Sequence, residues 1–161
     1  MRRLPIILTI VLVAGVLSSC GFHLRGQVRL ADAVSKVYIK SPDPRLAREV
    51  EDQLRASGYE PAGAGGASAI VDVLRADYFR NVRSVDARGK ATGYRLRYEV
   101  DFRVRGAGGK TLLDTQYIRQ ERDYNFDPTQ ILAKESEEAY LRDDMVKDVA
   151  RQILRQLAAI R

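Results

Sequence analysis

Strict alternation of apolar and charged residues marks one segment near the middle of the chain as a β-strand. Between residues 94 and 105, tyrosine, leucine, valine and phenylalanine occupy the even positions, and arginine, glutamate and aspartate occupy the odd ones. Successive side chains of a strand point to opposite faces, so this strand has one apolar and one charged face. The pattern therefore predicts a sheet that is buried on one side only.

Three further segments are predicted as strands because they are rich in β-branched and aromatic residues. They cover residues 34–40, 69 to about 83, and 111 to about 124. In the second of the four strands, both alternate sets of positions carry apolar residues, so the sequence does not decide which face of this strand is buried. Short turns containing glycine join the last three strands, which is typical of an antiparallel meander.

The first predicted helix lies between the first two strands. Asp43 is a suitable N-cap, Pro44 suits the first helical position, and Gly58 follows the last apolar residue of the helical pattern. A helix in this place can act as a crossover between two parallel strands, so the sheet is expected to be mixed.

The last predicted helix is long and amphipathic. It follows Pro128, and its apolar stripe begins at Ile131 and Leu132 and resumes from Met145 to Ile160. Its opposite face is predicted to hold the charged residues Glu137, Glu138, Arg142, Asp143, Lys147, Asp148, Arg151 and Arg155. Such a helix can lie on a membrane, but the apolar face of the sheet needs a cover, and this favours packing against the sheet.

Together these elements predict an α+β fold. A four-stranded, mostly antiparallel or mixed sheet is covered on one face by two helices, in the order strand, helix, three strands, helix. The length of the chain fits a single domain, which we assign to residues 34–161.

The amino terminus has the layout of a bacterial lipoprotein signal peptide. Two arginines precede an apolar run over residues 4–17, and two serines then precede Cys20, the only cysteine. This predicts a signal peptide over residues 1–19, lipidation of Cys20 and a tether over residues 20–33. The alternatives are a transmembrane helix, for which the run is short, and a buried structural cysteine.

Positive charge is concentrated in the middle of the chain. Between Arg75 and Arg122 there are twelve lysines and arginines against six aspartates and glutamates. Such a stretch indicates an anionic partner. For an exported, tethered domain, phosphorylated lipid headgroups are a better match than nucleic acid, and the alternative is an ordinary solvated sheet face.

The residues of common catalytic sites are scarce. The single histidine, His23, lies three residues after the predicted lipid anchor, and no cluster has the spacing of metal ligands. No serine occupies a G-x-S-x-G turn. We therefore predict no catalytic residues, metal or cofactor, and we favour a binding or assembly protein over a membrane-bound hydrolase.

Three motifs resemble the LPS-assembly lipoprotein LptE family. They are Cys-Gly-Phe-His-Leu-Arg-Gly at 20–26, Arg-Gly-Lys-Ala-Thr-Gly-Tyr at 88–94, and Gln-Ile-Leu-Ala-Lys-Glu at 130–135. The resemblance implies an outer-membrane lipoprotein that assembles with and plugs the LptD β-barrel and binds lipopolysaccharide (LPS) during its transport to the cell surface. The domain would face the periplasm and the barrel lumen. Gly21, in place of an aspartate, is similar to the outer-membrane sorting pattern.

The resemblance also implies which residues bind LPS. Basic residues of the family that match Arg88 and Lys134 are implicated in LPS binding, and Lys90 is an additional candidate beside Arg88. The alternative is that these are solvated surface charges. The main rival function is a lipid-anchored periplasmic adaptor of another envelope complex, which needs no affinity for LPS. Nucleic acid is not an expected partner.

Overall fold

A computed structural model of the chain describes residues 30–160, so Cys20 and the predicted signal peptide lie outside the described residues. Short 3₁₀ turns cover Asp32–Val34 and Pro128–Gln130. The strands and helices are β1 (Val37–Lys40), α1 (Pro44–Ala56), β2 (Ala69–Val85), β3 (Ala91–Gly106), β4 (Thr111–Asn125) and α2 (Ile131–Ala159).

The four strands form one mixed sheet in the order β1-β2-β3-β4. β1 pairs in parallel with β2, with Ile39 opposite Val71, because α1 forms a crossover between them. β2, β3 and β4 pair antiparallel with their chain neighbours. The predicted fold class is confirmed.

The alternation in β3 has the predicted consequence. Its even positions from Leu96 to Val104 are buried under the two helices, and its odd positions face away from them. Leu46, Val50 and Leu54 of α1 and the buried residues of α2 complete the core. We call the uncovered side of the sheet the open face.

A register shift explains why the facing of β2 could not be predicted. Val71 and Val73 lie on the helix-covered side, and the register then shifts between Val73 and Arg75. Such a bulge moves the following residues onto the other parity. After it, Ala76 and Tyr78 face the helices, so both alternate sets contribute apolar residues to the same side.

The first strand is shorter than predicted, since residues 34–36 precede it. The backbone N–H of Val34 donates to the carbonyl of Ala31 at 2.9 Å, and the Ser35 hydroxyl donates to the carbonyl of Asp32. These local bonds form a 3₁₀ turn. Val34 is nevertheless fully buried, which brings the entry into β1 onto the core.

The predicted cap of the first helix is confirmed. Asp43 accepts a hydrogen bond from the backbone N–H of Arg45 at 2.9 Å, and Pro44 begins the helix. The second carboxylate oxygen of Asp43 accepts from the hydroxyl of the buried Tyr98 at 2.9 Å. The start of α1 is therefore fixed to the centre of β3.

The last helix packs on the sheet over only part of its length. Its buried residues begin at Met145 and continue to Leu157. Ile131 and Leu132 are 52% and 80% exposed, so the prediction that they begin the packed apolar stripe is wrong. The first turns of α2 lie where aromatic and charged side chains of the sheet replace the aliphatic core.

No helix in the described part of the chain is both long enough and apolar enough to cross a membrane.

Candidate functional site

Ion pairs neutralise most of the charged open face. Arg75 contacts Asp101 at 2.7 Å and Glu99 at 3.3 Å, and Arg97 contacts Glu99 at 3.0 Å. Each acidic partner lies on β3, on the same face as the arginines around it. Exposed pairs of this kind contribute little to stability, but they leave few arginines of this face available to an external anion.

Further pairs extend this pattern over the rest of the sheet. Arg103 and Arg105 both contact the buried carboxylate of Asp72, at 3.1 and 3.0 Å. Arg95 contacts Asp123 at 2.8 Å. The Arg95 hydrogen bonds hold the pKa of the Asp123 carboxyl below its usual range, so this pair stays charged near neutral pH.

Three of the twelve basic residues between positions 75 and 122 have no ion-pair partner in the described chain: Arg88, Lys90 and Lys110. Arg88 and Lys90 lie in the turn between β2 and β3, and Lys110 lies in the turn at the opposite end of the sheet. All three are exposed. Within this basic stretch, two of the three unpaired positive charges therefore lie in the β2–β3 turn.

Asp86 holds this turn in shape from within. One of its carboxylate oxygens accepts from the backbone N–H of Arg88 at 2.8 Å and from that of Lys90 at 2.9 Å. Gly89 has φ = 77°, a conformation that side-chain-bearing residues rarely adopt. Because Asp86 bonds the backbone, the side chains of Arg88 and Lys90 are left to the solvent.

Lys134 lies in the first turns of α2, at the same end of the sheet. The chain reaches this position directly from β4, where the backbone N–H of Phe126 donates to the carbonyl of Thr92 at 2.9 Å. The ammonium of Lys134 donates to Glu137 at 2.8 Å, and its side chain is 20% exposed. An anion at Lys134 therefore has to compete with Glu137.

Neither a hydrogen bond nor an ion pair joins Lys134 to the β2–β3 turn within residues 30–160. The rise per residue of a helix and of a strand gives the distance of Lys134 and of the β2–β3 turn along the sheet. The reference level is the contact between Glu138 and Arg80. Lys134 lies about 6 Å beyond this level, whereas the end of β2 lies about 17 Å beyond it. Arg88 is thus at the same end of the domain but further out.

A polar cluster attaches the start of α2 to the sheet. Glu138 accepts from the hydroxyls of Tyr124 at 2.5 Å and Tyr78 at 3.2 Å, and it pairs with Arg80 at 3.1 Å. The Arg80 guanidinium also stacks over the ring of Tyr94, 3.7 Å from its centroid. These contacts join three strands to α2 one helical turn after Lys134.

The cluster corrects the prediction that Glu138 lies on the outer face of α2. Arg80 occupies a helix-facing position of β2, so a carboxylate is needed between strand and helix. Arg142, also predicted to face outward, lies over the ring of Tyr78 at 4.3 Å. The sequence signal for this arrangement is Arg80, an arginine on the helix-facing side of β2. Its facing could not be deduced from the sequence, because it depends on the bulge in that strand.

Burial and the hydrogen bond to Glu138 raise the pKa of Tyr124 to about 12, so its hydroxyl stays protonated and can act as a donor. Burial, the negative charge of Glu138 and the hydrogen bond to it also raise the pKa of Tyr78. These tyrosines have a structural role: they supply hydrogen bonds to a carboxylate between helix and sheet.

A second polar contact holds α2 further along. Arg122 of β4 donates to Asp144 at 2.7 Å and also to Asp148, which pairs with Arg151. Asp148 was predicted to face outward, and the structure instead directs its carboxylate at β4.

Within residues 30–160, no group of three or more histidine, cysteine, aspartate or glutamate residues could hold a metal ion.

Solved structures with this architecture define the class of the protein. The solution structure of lipoprotein B from Nitrosomonas europaea is similar with a TM-score of 0.71 and 32% identity, covering 86% of this chain and 91% of that one. The crystal structure of rare lipoprotein B from Shewanella oneidensis is similar with a TM-score of 0.66 and 26% identity, covering 77% and 94%. The fold is that of a family of small bacterial lipoproteins.

The particular family follows from the sequence matches. The family described as "LptE: Lipopolysaccharide-assembly" matches residues 34–157. The LPS-assembly lipoprotein LptE of Photorhabdus laumondii is 31% identical over 159 residues, which is 96% of this chain and 86% of that protein. The chain belongs to the LptE family of LPS-assembly lipoproteins.

Proposed function

We propose that this lipoprotein assembles with an LptD β-barrel in the outer membrane, occupies its lumen and binds LPS during transport to the cell surface. Its role is to bind and assemble, with no catalytic step. The relatives supply the link to LPS assembly, and LptD as the partner comes from the resemblance of the three motifs. Arg88 and Lys134 are the proposed LPS contacts, with Lys90 beside Arg88.

The observation that carries the LPS site is the lack of ion-pair partners at the β2–β3 turn. Arg88 and Lys90 are exposed and unpaired in the described chain, whereas the arginines of the sheet around them are bound to carboxylates. A guanidinium binds phosphate through paired donors, and an ammonium binds it as a point charge. An LPS phosphate can therefore bind here without breaking an existing ion pair.

Lys134 supports the proposal through its position. It lies at the same end of the domain, and the polar cluster around Glu138 fixes the helix that carries it. Its bond to Glu137 is a local pair on a helix surface, which is a weak interaction. A phosphate group at this place can replace Glu137 as the partner of Lys134.

The test is charge reversal at the two proposed contacts. Arg88→Asp combined with Lys134→Asp is expected to reduce capture of the full-length lipoprotein by immobilised LPS by at least tenfold, because two favourable contacts become repulsive. The melting temperature should stay close to that of the wild type. Unchanged capture would show that these residues are not the site.

A matched control is available on α2. Arg151→Asp combined with Arg155→Asp also reverses two charges, one paired with an aspartate three residues earlier and one without a partner in the described chain. The test variant likewise changes one residue that forms an ion pair, Lys134, and one that does not, Arg88. Equal loss of capture in both double variants would show that LPS capture depends only on the net charge of the protein.

The partner and the anchor complete the proposal. We propose a signal peptide over residues 1–19, a lipidated Cys20, a tether over residues 20–33 and one domain over residues 34–161. Co-purification from outer membranes should yield a stable complex with a large β-barrel. Recovery with a different envelope complex, without affinity for LPS, would support the rival adaptor function.

A further inference from the structure

Exposed apolar side chains are concentrated at the end of the sheet that carries Arg88. Val82 and Val85 at the end of β2 are 57% and 56% exposed, and Ile131 and Leu132 begin α2. These four residues are here called the tip patch. They make up four of the seven large hydrophobic side chains that are exposed in the described chain. Scattered single residues need no explanation, but a group of four at one end does.

Within the tip patch, Val82 and Leu132 lie on the helix-covered side of the sheet, whereas Val85 pairs with Ala91 at the very end of β2, after two further register shifts. Val82 is opposite Tyr94, a helix-facing residue, so it lies on the side that α2 covers. Leu132 is six residues before Glu138, or about 9 Å of helix. Val82 is two residues beyond Arg80, or about 7 Å of strand. Because Glu138 contacts Arg80, Leu132 and Val82 lie at nearly the same level.

Positive charge adjoins the tip patch on both of its elements. Arg88 and Lys90 follow Val85 in the β2–β3 turn, and Lys134 follows Leu132 by two residues in α2. Apolar side chains beside cations, of which Arg88 and Lys90 are unpaired in the described chain, fit an amphiphile that has both acyl chains and phosphate groups. An anionic polar partner would leave Leu132 and Val82 in water, and an uncharged apolar partner would leave the cations unmatched.

We propose that the tip patch binds acyl chains of LPS while the adjacent cations bind its phosphates. The inference rests on the proposed function, because it concerns the same ligand at the same end of the domain. It adds that recognition extends to the lipid part of the molecule, through Val82 and Leu132 in particular.

The experiment separates the acyl contribution from the phosphate contribution. The full-length lipoprotein in phosphatidylcholine nanodiscs is passed over two immobilised probes, hexa-acylated LPS and the same LPS after removal of its acyl chains, with empty nanodiscs as the blank. The double variant Val82→Ser, Leu132→Ser is expected to bind the acylated probe about tenfold more weakly. Its binding to the deacylated probe should equal that of the wild type.

The control variant changes exposed apolar residues elsewhere. Leu74 is 46% exposed at the bulge of β2, and Tyr117 is exposed on the open face of β4. The double variant Leu74→Ser, Tyr117→Ser should bind both probes like the wild type. Because all four side chains are exposed, neither double variant is expected to unfold, and thermal melting checks this.

Each other outcome has a distinct meaning. If the wild type binds neither probe, the proposed function itself fails. If it binds both and the Val82/Leu132 variant is unchanged, LPS binding stands and the acyl proposal is overturned. The acyl proposal is also overturned if the control variant loses as much affinity. Binding to phosphatidylglycerol vesicles is tested in parallel. If the Val82/Leu132 variant loses affinity only for these vesicles, the tip patch contacts the membrane and not LPS.

Discussion

The guanidinium of Arg80 lies 3.1 Å from the carboxylate of Glu138, and this contact joins β2 to α2 one helical turn after Lys134. It replaces the apolar packing that holds the rest of the helix, since the first buried residue of α2 is Met145. The position of Lys134 relative to the sheet therefore depends on a polar cluster. A half-buried pair of this kind fixes geometry at a desolvation cost.

Glu138→Ala should destabilise the domain by about 1–3 kcal/mol, because it leaves Arg80 and two tyrosine hydroxyls without their acceptor. Urea unfolding measures the loss. Hydrogen exchange should also become faster over residues 131–138. Glu135→Ala, on the exposed side of the same helix turn, is the control and should change neither quantity. Equal effects of the two substitutions would contradict the assigned role of the cluster.

Val100→Asp should destabilise the domain by more than about 4 kcal/mol, since it places an unpaired carboxylate in the core. Val100 is fully buried under the helices, whereas Arg97 lies on the open face and pairs with Glu99. Arg97→Asp loses this pair and should cost far less. Comparable losses of melting temperature in both variants would refute the facing of β3.

Tyr98→Phe should cost about 1 kcal/mol, the usual contribution of one hydrogen bond. The hydroxyl of Tyr98 donates to Asp43, the residue that caps α1. Its removal should loosen the first turn of that helix without changing the core volume. Tyr140→Phe, at an exposed position of α2, serves as the control and should leave the unfolding free energy unchanged.

Acid should weaken the attachment of α2 through Asp148. Burial alone would raise the pKa of this carboxyl, but hydrogen bonds from Arg122 and Arg151 outweigh burial and lower it. A lowered folded-state pKa gives stabilisation that is complete above the unfolded value of about 3.9 and is lost as the pH falls through the folded value.

Asp148→Asn should therefore melt at a lower temperature than the wild type at pH 7, and the difference should shrink as the pH falls below about 4. Melting curves from pH 7 to pH 2 measure this convergence. The exposed Asp143, 3.9 Å from Arg45, provides the comparison. Asp143→Asn should follow the wild-type curve more closely. A constant difference across the pH range would exclude Asp148 as a source of the acid sensitivity.

Cys20→Ala should abolish lipid attachment, because no other cysteine exists. The variant is expected to accumulate as an unprocessed precursor, and residue 20 precedes the first residues that contact the core. Labelling with radioactive palmitate tests this directly. Continued incorporation of label into the variant would refute the prediction that Cys20 is the anchor.

The sequence by itself determined the elements and their order. Alternation in β3 and the cap at Asp43 depend on local geometry, so they could be predicted from residues close together in the chain. The same holds for the turn that carries Arg88 and Lys90. That both residues lack an ion-pair partner in the described chain was not predictable, because it depends on which carboxylates the neighbouring strands bring to each arginine.

Only the tertiary structure decided how α2 meets the sheet. The register shift after Val73 directs Arg80 toward the helix, and Arg80 in turn requires Glu138 to face inward, against its expected place on the outer face. Ile131 and Leu132 continue the apolar pattern but remain exposed, because the first turns of α2 meet polar groups of the sheet. Periodicity indicates which residues can be buried. Burial itself depends on what the opposing element presents, and distant segments of the chain supply that element.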